Sequence, residues 1–394
     1  MSIPEHVMCN DLTFHVFTHH VSHPPAKHDP TIILTTTAMP RSQPSPDTAP
    51  VRPDERFDEA RLHAWLKDKL PGADQPLTVR QFTGGVANLT YLLDFGEQQY
   101  VLRRPPLGPV AKHAHDMSRE YKVLSVLYKA FPKAPRAYLY CDDPDVIGSV
   151  FLIVERRQGV VVRKSIPPEF AAIADAPQRM SRALVDTLAE FHAVDFGALG
   201  LSDLGRPEGF ITRQIEGWYK RWQAAKTEDL PLMDEVYAWL KAHQPPSPPP
   251  TLVHNDYKLD NVMFAAGDPG RIVAVFDWDM CTLGDPFSDL GALLTYWTEP
   301  DDPPYMQAIA QMPVGDARFW TRGQLIERYA AISGRDMSDV HFYHALGLFR
   351  LTVIAAQIYI RYVRGQTKDE RFAGLGVIIP LIARAAHDVA TQSH

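Results

Sequence analysis

The sequence predicts an α+β chain of two lobes, a small antiparallel β-sheet lobe followed by a larger, mainly helical one. Three observations carry this. Short β-rich runs separated by glycine turns fill residues 77–155, apolar residues at helical spacing dominate the rest of the chain, and Gly159 breaks the pattern between them. The expected boundaries are an extended or disordered tail over 1–53, a small lobe over 54–157 and a helical lobe over 158–394.

The tail is set apart by composition. Nine of the 34 prolines lie before residue 54 and six of the 16 histidines before residue 29, and charge is sparse. Such a segment buries too little apolar surface to offset its ordering entropy. His15, His19, His20 and His23 read as part of a flexible tail, not as a metal cluster, and Met39 is a candidate translation start.

The elements run in order along the chain. Phe57, Leu62, Trp65, Leu66 and Leu70 predict an amphipathic helix over 57–70. Residues 77–82, 89–95 and 100–103 read as strands joined by the Gly84-Gly85 turn and a turn at Gly96. Met117, Tyr121, Leu124, Tyr128 and Phe131 mark a helix, with Asp116 as its cap. Residues 137–141 and 150–155 read as two further strands. Met180, Leu184, Leu188 and Phe191, then Trp218 and Trp222, keep helical spacing. Five prolines in residues 245–250 make a stiff connector. Short strands are expected at 251–254, 261–264 and 271–278, the last two joined by a turn at 267–270, and helices at 286–297, 305–312, 323–333, 340–364 and 373–390. Arg361 and Arg364 before Gly365 mark a helix end.

Composition narrows the function. The net charge of −7 argues against a nucleic-acid partner. No uninterrupted apolar run reaches the roughly 18 residues of a membrane span, and no secretory signal is expected. Cys9, Cys141 and Cys281 are far apart with no CxxC, so neither a disulfide framework nor a zinc site is expected, and the cytoplasm is the expected compartment.

The densest chemistry lies in Val253-His254-Asn255-Asp256-Tyr257-Lys258-Leu259-Asp260-Asn261, followed by Asp277 at the end of an apolar run. Asparagine occurs only at positions 10, 88, 255 and 261. Phosphoryl transfer needs a carboxylate to orient and deprotonate the attacking hydroxyl, and hard oxygen ligands for a metal that holds the triphosphate. Asp256 fits the base. Asn261 and Asp277 fit the ligands of Mg²⁺, and the Lys258 ammonium fits a group that neutralises the transferred phosphoryl.

The spacing His254, Asp256, Lys258, Asn261 resembles the catalytic loop of eukaryotic-type protein kinases. The Asp277-Trp278 ending, where kinases have Asp-Phe-Gly, resembles the aminoglycoside phosphotransferase/choline kinase family. Residues 81–88, with Gly84, Gly85 and Asn88, resemble that family's nucleotide loop. Arg103 in Tyr100-Val101-Leu102-Arg103 stands where protein kinases place a lysine, and Glu120 resembles its helix partner. Phe151 to Glu155 and Arg156 resemble the segment whose backbone meets adenine. Gly284-Asp285-Pro286 and Asp289-Leu290 extend the match. Residues 101–106, 191–195, 206–210 and Phe349-Arg350 resemble the kinase-like domains of acyl-CoA dehydrogenase family members 10 and 11 and their bacterial stand-alone relatives. Position 255 is Asn where that group usually has Gly.

The resemblance implies a bilobal protein-kinase-like fold with ATP and Mg²⁺ between the lobes. It implies phosphoryl transfer to a small-molecule hydroxyl, on a hydroxy acid or hydroxyacyl-CoA, and a functional link to an acyl-CoA dehydrogenase. An aminoglycoside phosphotransferase and a non-catalytic pseudokinase are the alternatives. An anionic CoA ester calls for basic groups, and Arg206, Arg213, Lys220 and Arg221 are candidates. Several residues keep two readings in the sequence alone. Arg103 and Glu120 are alternatively solvated surface charges, and Asp279 is either a metal-site carboxylate or a turn cap. Asp289, His254 and His192 read as structural. Arg350, in an apolar helix, needs an acid or an anionic substrate.

Overall fold

A computed structural model describes residues 47–83, 88–107, 116–367 and 369–391. The amino-terminal lobe is one six-stranded antiparallel sheet. Its strands are β1 (Thr48–Ala49), β2 (Thr78–Phe82), β3 (Leu89–Asp94), β4 (Gln99–Arg104), β5 (Ala137–Cys141) and β6 (Phe151–Glu155), in the order β1-β2-β3-β4-β6-β5. Two helices belong to it. Helix α1 (Glu59–Leu66) is capped by Asp58, and α2 (Met117–Leu127) by Asp116, whose side chain accepts from the Ser118 and Arg119 backbone N–H groups.

The period of two sorts the sheet's side chains into two cores. Tyr100 and Leu102 of β4, with Phe151 and Ile153 of β6, face a small core under α1. Val101, Leu152 and Val154 face the opposite way, into a large core that runs through α2 into the helical lobe. The strand pair that carries the cleft is therefore fixed from both faces.

The second lobe holds α3 (Pro168–Ala171), α4 (Ala176–His192), α5 (Phe210–Ala225), α6 (Pro231–Ala242), α7 (Phe287–Thr295), α8 (Pro304–Ala308), α9 (Arg322–Ser333), α10 (Val340–Val363) and α11 (Leu375–Thr391). Two small strand pairs complete it: β7 (Thr251–Val253) with β10 (Thr282–Gly284), and β8 (Val262–Ala265) with β9 (Asp268–Val275). Helix α10 is long and apolar enough to cross a membrane by length and composition, with Arg350 inside it, yet most of its apolar stretch is buried between α7, α5 and α11. It is the lobe's central core helix. It crosses α7 at two glycines: a Cβ on Gly291 would lie 2.2 Å from the Tyr343 carbonyl oxygen, and one on Gly347 would lie 2.7 Å from the Gly291 oxygen.

Several expectations need correction. The expected tail ends earlier than residue 53, because Thr48 and Ala49 pair with Phe82 and Gln81 as the sheet edge. The turn before β9 lies at Ala266-Gly267, so Asp268 to Gly270 belong to the strand. Helix α6 and strand β10 were not expected. The tail histidines and Met39 lie outside the described residues.

Candidate active site

Strand β7 delivers the catalytic-loop segment into a buried polar frame. Asp289, in the first turn of α7, accepts the backbone N–H of His254 at 2.6 Å and of Asn255 at 2.7 Å. His192 of α4 donates Nε2–H to the same carboxylate at 3.1 Å, and the Tyr329 hydroxyl donates to His192 Nδ1 at 2.7 Å. Burial alone would raise the Asp289 carboxyl. The contacts with His192 and His254 and the backbone donors outweigh it and hold the group below its ordinary value. His254 donates Nε2–H to the Phe276 carbonyl at 2.8 Å and accepts the Asp256 N–H at Nδ1, 3.2 Å away. Asp289, His254 and His192 thus take the structural places expected of them.

Asn255 has φ of 66°, in the left-handed region. Asparagine tolerates this better than other residues with a Cβ, which accounts for its replacing the usual glycine. Its side chain donates to the Met280 carbonyl at 2.9 Å.

The turn presents Asp256, whose carboxylate Oδ2 accepts from Asn261 Nδ2 at 2.7 Å and lies 3.1 Å from Lys258 Nζ. Asp256 and Lys258 are both buried. Burial disfavours the Lys258 charge, but Asp256, Asp260 and Tyr296 more than compensate, so the ammonium stays charged well above its ordinary range. The Tyr296 ring lies 5.2 Å from Lys258 Nζ. Tyr296 escaped the sequence reading because no pattern ties it to the loop.

Across the cleft, Arg103 of β4 lies 3.2 Å from Glu120 of α2 and 3.2 Å from Asp277, which follows β9. The alternative of solvated charges fails for both residues: Glu120 is fully buried and the Arg103 side chain is 13% exposed. Desolvation works against the guanidinium, yet Glu120, Asp277 and Asp279 together keep it charged. Glu120 moves the other way. Burial pushes its carboxyl up to about 7, and Arg103, shared with Asp277, returns only part of that. Asp279 is likewise raised, by burial and then by Asp277 and Glu120. Asp277 has φ of 67°, a strained conformation for a residue with a Cβ.

Of these residues, Arg103, Glu120, Lys258, Asn261 and Asp277 line a cleft of about 600 Å³ between the lobes, while Asp256, bonded to Asn261 and Lys258, lines a small neighbouring crevice of the helical lobe. Apolar Val101, Leu124, Val154, Met263 and Phe276 form its walls, and Asn88, Arg103, Glu120, Lys258, Asn261 and Asp277 its polar surface. Gly84 and Gly85 lie outside the described residues. Asn88 follows them, and both polar atoms of its amide are buried without a hydrogen-bond partner. An orphaned amide at a cleft wall is what a polar ligand would satisfy. Glu155 and Arg156 also line the cleft, but their side chains are engaged elsewhere. Glu155 accepts from the Arg136 N–H at 3.1 Å and pairs with Arg157, while Arg156 pairs with Asp47. A ligand at this edge would meet backbone, not these side chains.

The donor chemistry fits Mg²⁺. With Asn261 Nδ2 committed to Asp256, the amide oxygen is left to ligate beside the Asp277 carboxylate, and both are hard oxygens. Among the described residues there is no group of three or more His, Cys, Asp or Glu side chains that could hold a metal by themselves. A metal taking two protein oxygens and completing its shell with phosphates and water matches that count.

A two-lobed fold with a buried Asp-Lys-Asn loop facing an Arg-Glu pair across a cleft defines the class of kinase-like phosphotransferases. The chain belongs to the phosphotransferase enzyme family, whose profile matches residues 78–324. A solved protein from Ralstonia eutropha, provisionally described as an aminoglycoside phosphotransferase, is 32% identical. It covers 85% of this chain and 98% of its own, with a TM-score of 0.72. An aminoglycoside phosphotransferase solved with ADP and hygromycin B shares the fold at TM-score 0.53 and 18% identity, over 84% of this chain and 99% of its own. Acyl-CoA dehydrogenase family member 11 of Gallus gallus is 33% identical over 336 residues, 82% of this chain and 42% of that protein. Family member 10 of Mus musculus is 29% identical over 349 residues, 88% of this chain and 32% of that protein. The chain thus spans less than half the length of these dehydrogenase relatives.

Proposed function

We propose that this protein transfers the γ-phosphoryl group of ATP, with Mg²⁺, to a hydroxyl of a small molecule, a hydroxy acid or a hydroxyacyl-CoA. The observation that carries the reading is the buried Asp256 carboxylate, held by Asn261 and Lys258, which line the cleft together with Arg103 and Glu120. Asp256 accepts the proton of the attacking hydroxyl as its oxygen bonds to the γ-phosphorus and the bond from that phosphorus to the bridging oxygen breaks, releasing ADP. Lys258, already charged beside Asp256, exchanges part of that contact for the equatorial phosphoryl oxygens. Arg103, anchored by Glu120, grips the phosphates of the nucleotide, and its planar fork suits two oxygens at once. Asn88 supplies an amide to the same phosphates. Backbone groups at Glu155 and Arg156 meet the base. Asn261 and Asp277 would hold Mg²⁺, whose charge would keep the β- and γ-phosphates in line.

The names of the dehydrogenase relatives support the acyl acceptor over an antibiotic, and with it a functional link to an acyl-CoA dehydrogenase; the cytoplasm is the compartment proposed for it. The test is phosphate transfer from labelled Mg·ATP to hydroxyacyl-CoAs with their free acids, and separately to aminoglycosides, with Asp256→Asn as control. Labelled acyl product, absent with the variant, is expected. Product only from aminoglycosides would overturn the acceptor class, and no Mg·ATP binding at all would overturn the enzyme reading.

A further inference from the structure

The segment from Asp277 to Cys281 is held by side chains of both lobes. The Asn255 amide of the helical lobe donates to the Met280 carbonyl at 2.9 Å. From the sheet lobe, Arg103 donates to Asp277 Oδ1 at 3.2 Å, and among the described residues none donates a hydrogen bond to Oδ2. Arg119 of α2 donates from Nε to the Cys281 carbonyl at 3.0 Å. The Cys281 N–H in turn closes the single turn Trp278–Met280 by donating to the Trp278 carbonyl at 3.1 Å. Asp277 stands at the head of that turn with φ of 67°. A residue with a Cβ keeps such a conformation where its surroundings fix it.

The same Arg119 guanidinium donates from Nη2 to the Leu204 carbonyl at 2.7 Å. Leu204 and Cys281 are both buried. The chain after Leu204 lies against β10. A Cβ on Gly205 would meet Thr282 Oγ1 at 2.2 Å and the Leu283 backbone N at 3.1 Å, and a Cβ on Gly284 would meet the Phe210 ring at 2.9 Å. The stretch from Arg206 to Phe210, singled out in the sequence, thus ends on the strand that continues from Cys281. One planar fork joins α2, the Leu204 loop and the residue before β10. Arg119 itself does not line the cleft, whereas its neighbour Glu120 does.

We infer that Arg119 is a positioning residue for the metal ligand Asp277, acting through the Cys281 carbonyl. This rests on the reading of the site as an Mg·ATP-dependent phosphotransferase and adds to it a residue outside the cleft. Two cations compete for the Asp277 carboxylate, Arg103 and the metal. Held from behind by Arg119, the segment keeps Oδ1 on the guanidinium and leaves Oδ2 to the metal. A displaced segment would let the Arg103 fork take both oxygens.

The test is calorimetric and uses the full chain. The β,γ-imido analogue of ATP is titrated, with Mg²⁺ and with a chelator, into the wild type, Arg119→Met, Arg119→Lys and Lys122→Met. Lys122 lies on the same helix and pairs at 2.7 Å with Asp203 in an exposed ion pair, so its loss controls for a general loosening of α2. Mg²⁺ is expected to strengthen binding to the wild type. Arg119→Met should lose about tenfold of that gain, the scale of one charge-assisted hydrogen bond, with metal-free affinity unchanged. Arg119→Lys, whose ammonium replaces a fork, should lose less, and Lys122→Met should keep the full gain. Tm is measured on each variant without ligand. A lowered Tm with the full Mg²⁺ gain in Arg119→Met makes Arg119 a structural brace and overturns the proposal. An equal loss in Lys122→Met overturns it too, as does a parallel loss of metal-free affinity, which would route the effect through Glu120 and Arg103. Should Arg119→Met fail to fold, Arg119→Lys decides: a reduced gain supports the positioning role and a full gain overturns it. No binding of the analogue to the wild type would defeat the phosphotransferase reading itself, and this role with it.

Discussion

At the scale of single residues, the loop's function depends on a backbone shape that few residues accept. Asn255 turns the chain in the left-handed region so that Asp256 meets Asn261 and Lys258, while the N–H groups before it are taken by Asp289. Asn255→Val is expected to cost about 1–2 kcal/mol from backbone conformation alone. Asn255→Gly relieves that strain but loses the bond to Met280, for a net change under about 1 kcal/mol. Urea unfolding of both variants checks the difference, and equal costs would place the effect in packing. Asp256→Asn is expected to lower kcat by about 10²–10⁴ while Mg·ATP binding persists; undiminished turnover would remove Asp256 as the base. The loop was legible in the sequence because His254 to Asn261 are local and Asp277 follows closely. Tyr296 was not, since it reaches Lys258 only through folding, and no local spacing records that approach.

Elements set how these residues meet, and two joints matter. The first is β4 against α2, where Arg103 and Glu120 pair. Glu120 keeps its proton in the folded protein up to about pH 7, above its ordinary value. The unfolded chain gives that proton up earlier, so stability falls as pH rises from the ordinary glutamate range to about 7 and is level above it. Glu120→Gln is expected to flatten that slope in unfolding titrations; an undiminished slope would assign it to another group. The second joint is the crossing of α7 and α10. Because Asp289 on α7 accepts the loop's N–H groups and Arg350 on α10 donates to the Asn255 carbonyl, Gly291→Ala moves two supports of the loop apart. The overpacking is expected to cost about 1–3 kcal/mol and to lower kcat together with Tm. A loss of Tm with full kcat would show the loop is insulated from the crossing. The helix over Met117–Leu127 and the strand over Ala137–Cys141 were legible from periodicity and capping. Strand β10 is three residues, Thr282 to Gly284, too short to show a period, and β1 lies in a proline-rich stretch whose composition outweighs two paired residues. Helix α6 has Met233, Val236 and Leu240 at helical spacing, but it is short and runs into the proline connector.

For the whole molecule, the order of the lobes was readable because the apolar period changes from two to 3.6 near Gly159. How the lobes are joined was not. Arg119 of α2 donates to the carbonyls of Leu204 at 2.7 Å and Cys281 at 3.0 Å, and Arg103 reaches Asp277 across the cleft. These are single contacts between distant segments. Together with the large apolar core that runs through α2, they join the sheet lobe to the helical lobe and leave the cleft as the place where a ligand touches both. A ligand bound only by the folded chain adds stability to the whole, about 2.7 kcal/mol at a hundredfold excess over Kd. Mg·ATP is therefore expected to raise Tm in a single transition, and ATP with a chelator to raise it less. Asp277→Ala tests the metal assignment within that effect. It removes a Mg²⁺ oxygen but also frees Arg103 from one of its two close carboxylates, so metal-free ATP should bind as well as before or better. Only the increment due to Mg²⁺ should vanish. If that increment survives in Asp277→Ala, the metal is held elsewhere. If it vanishes together with all ATP binding, the Arg103 pairing with Asp277, and not the metal, is what shapes the nucleotide site.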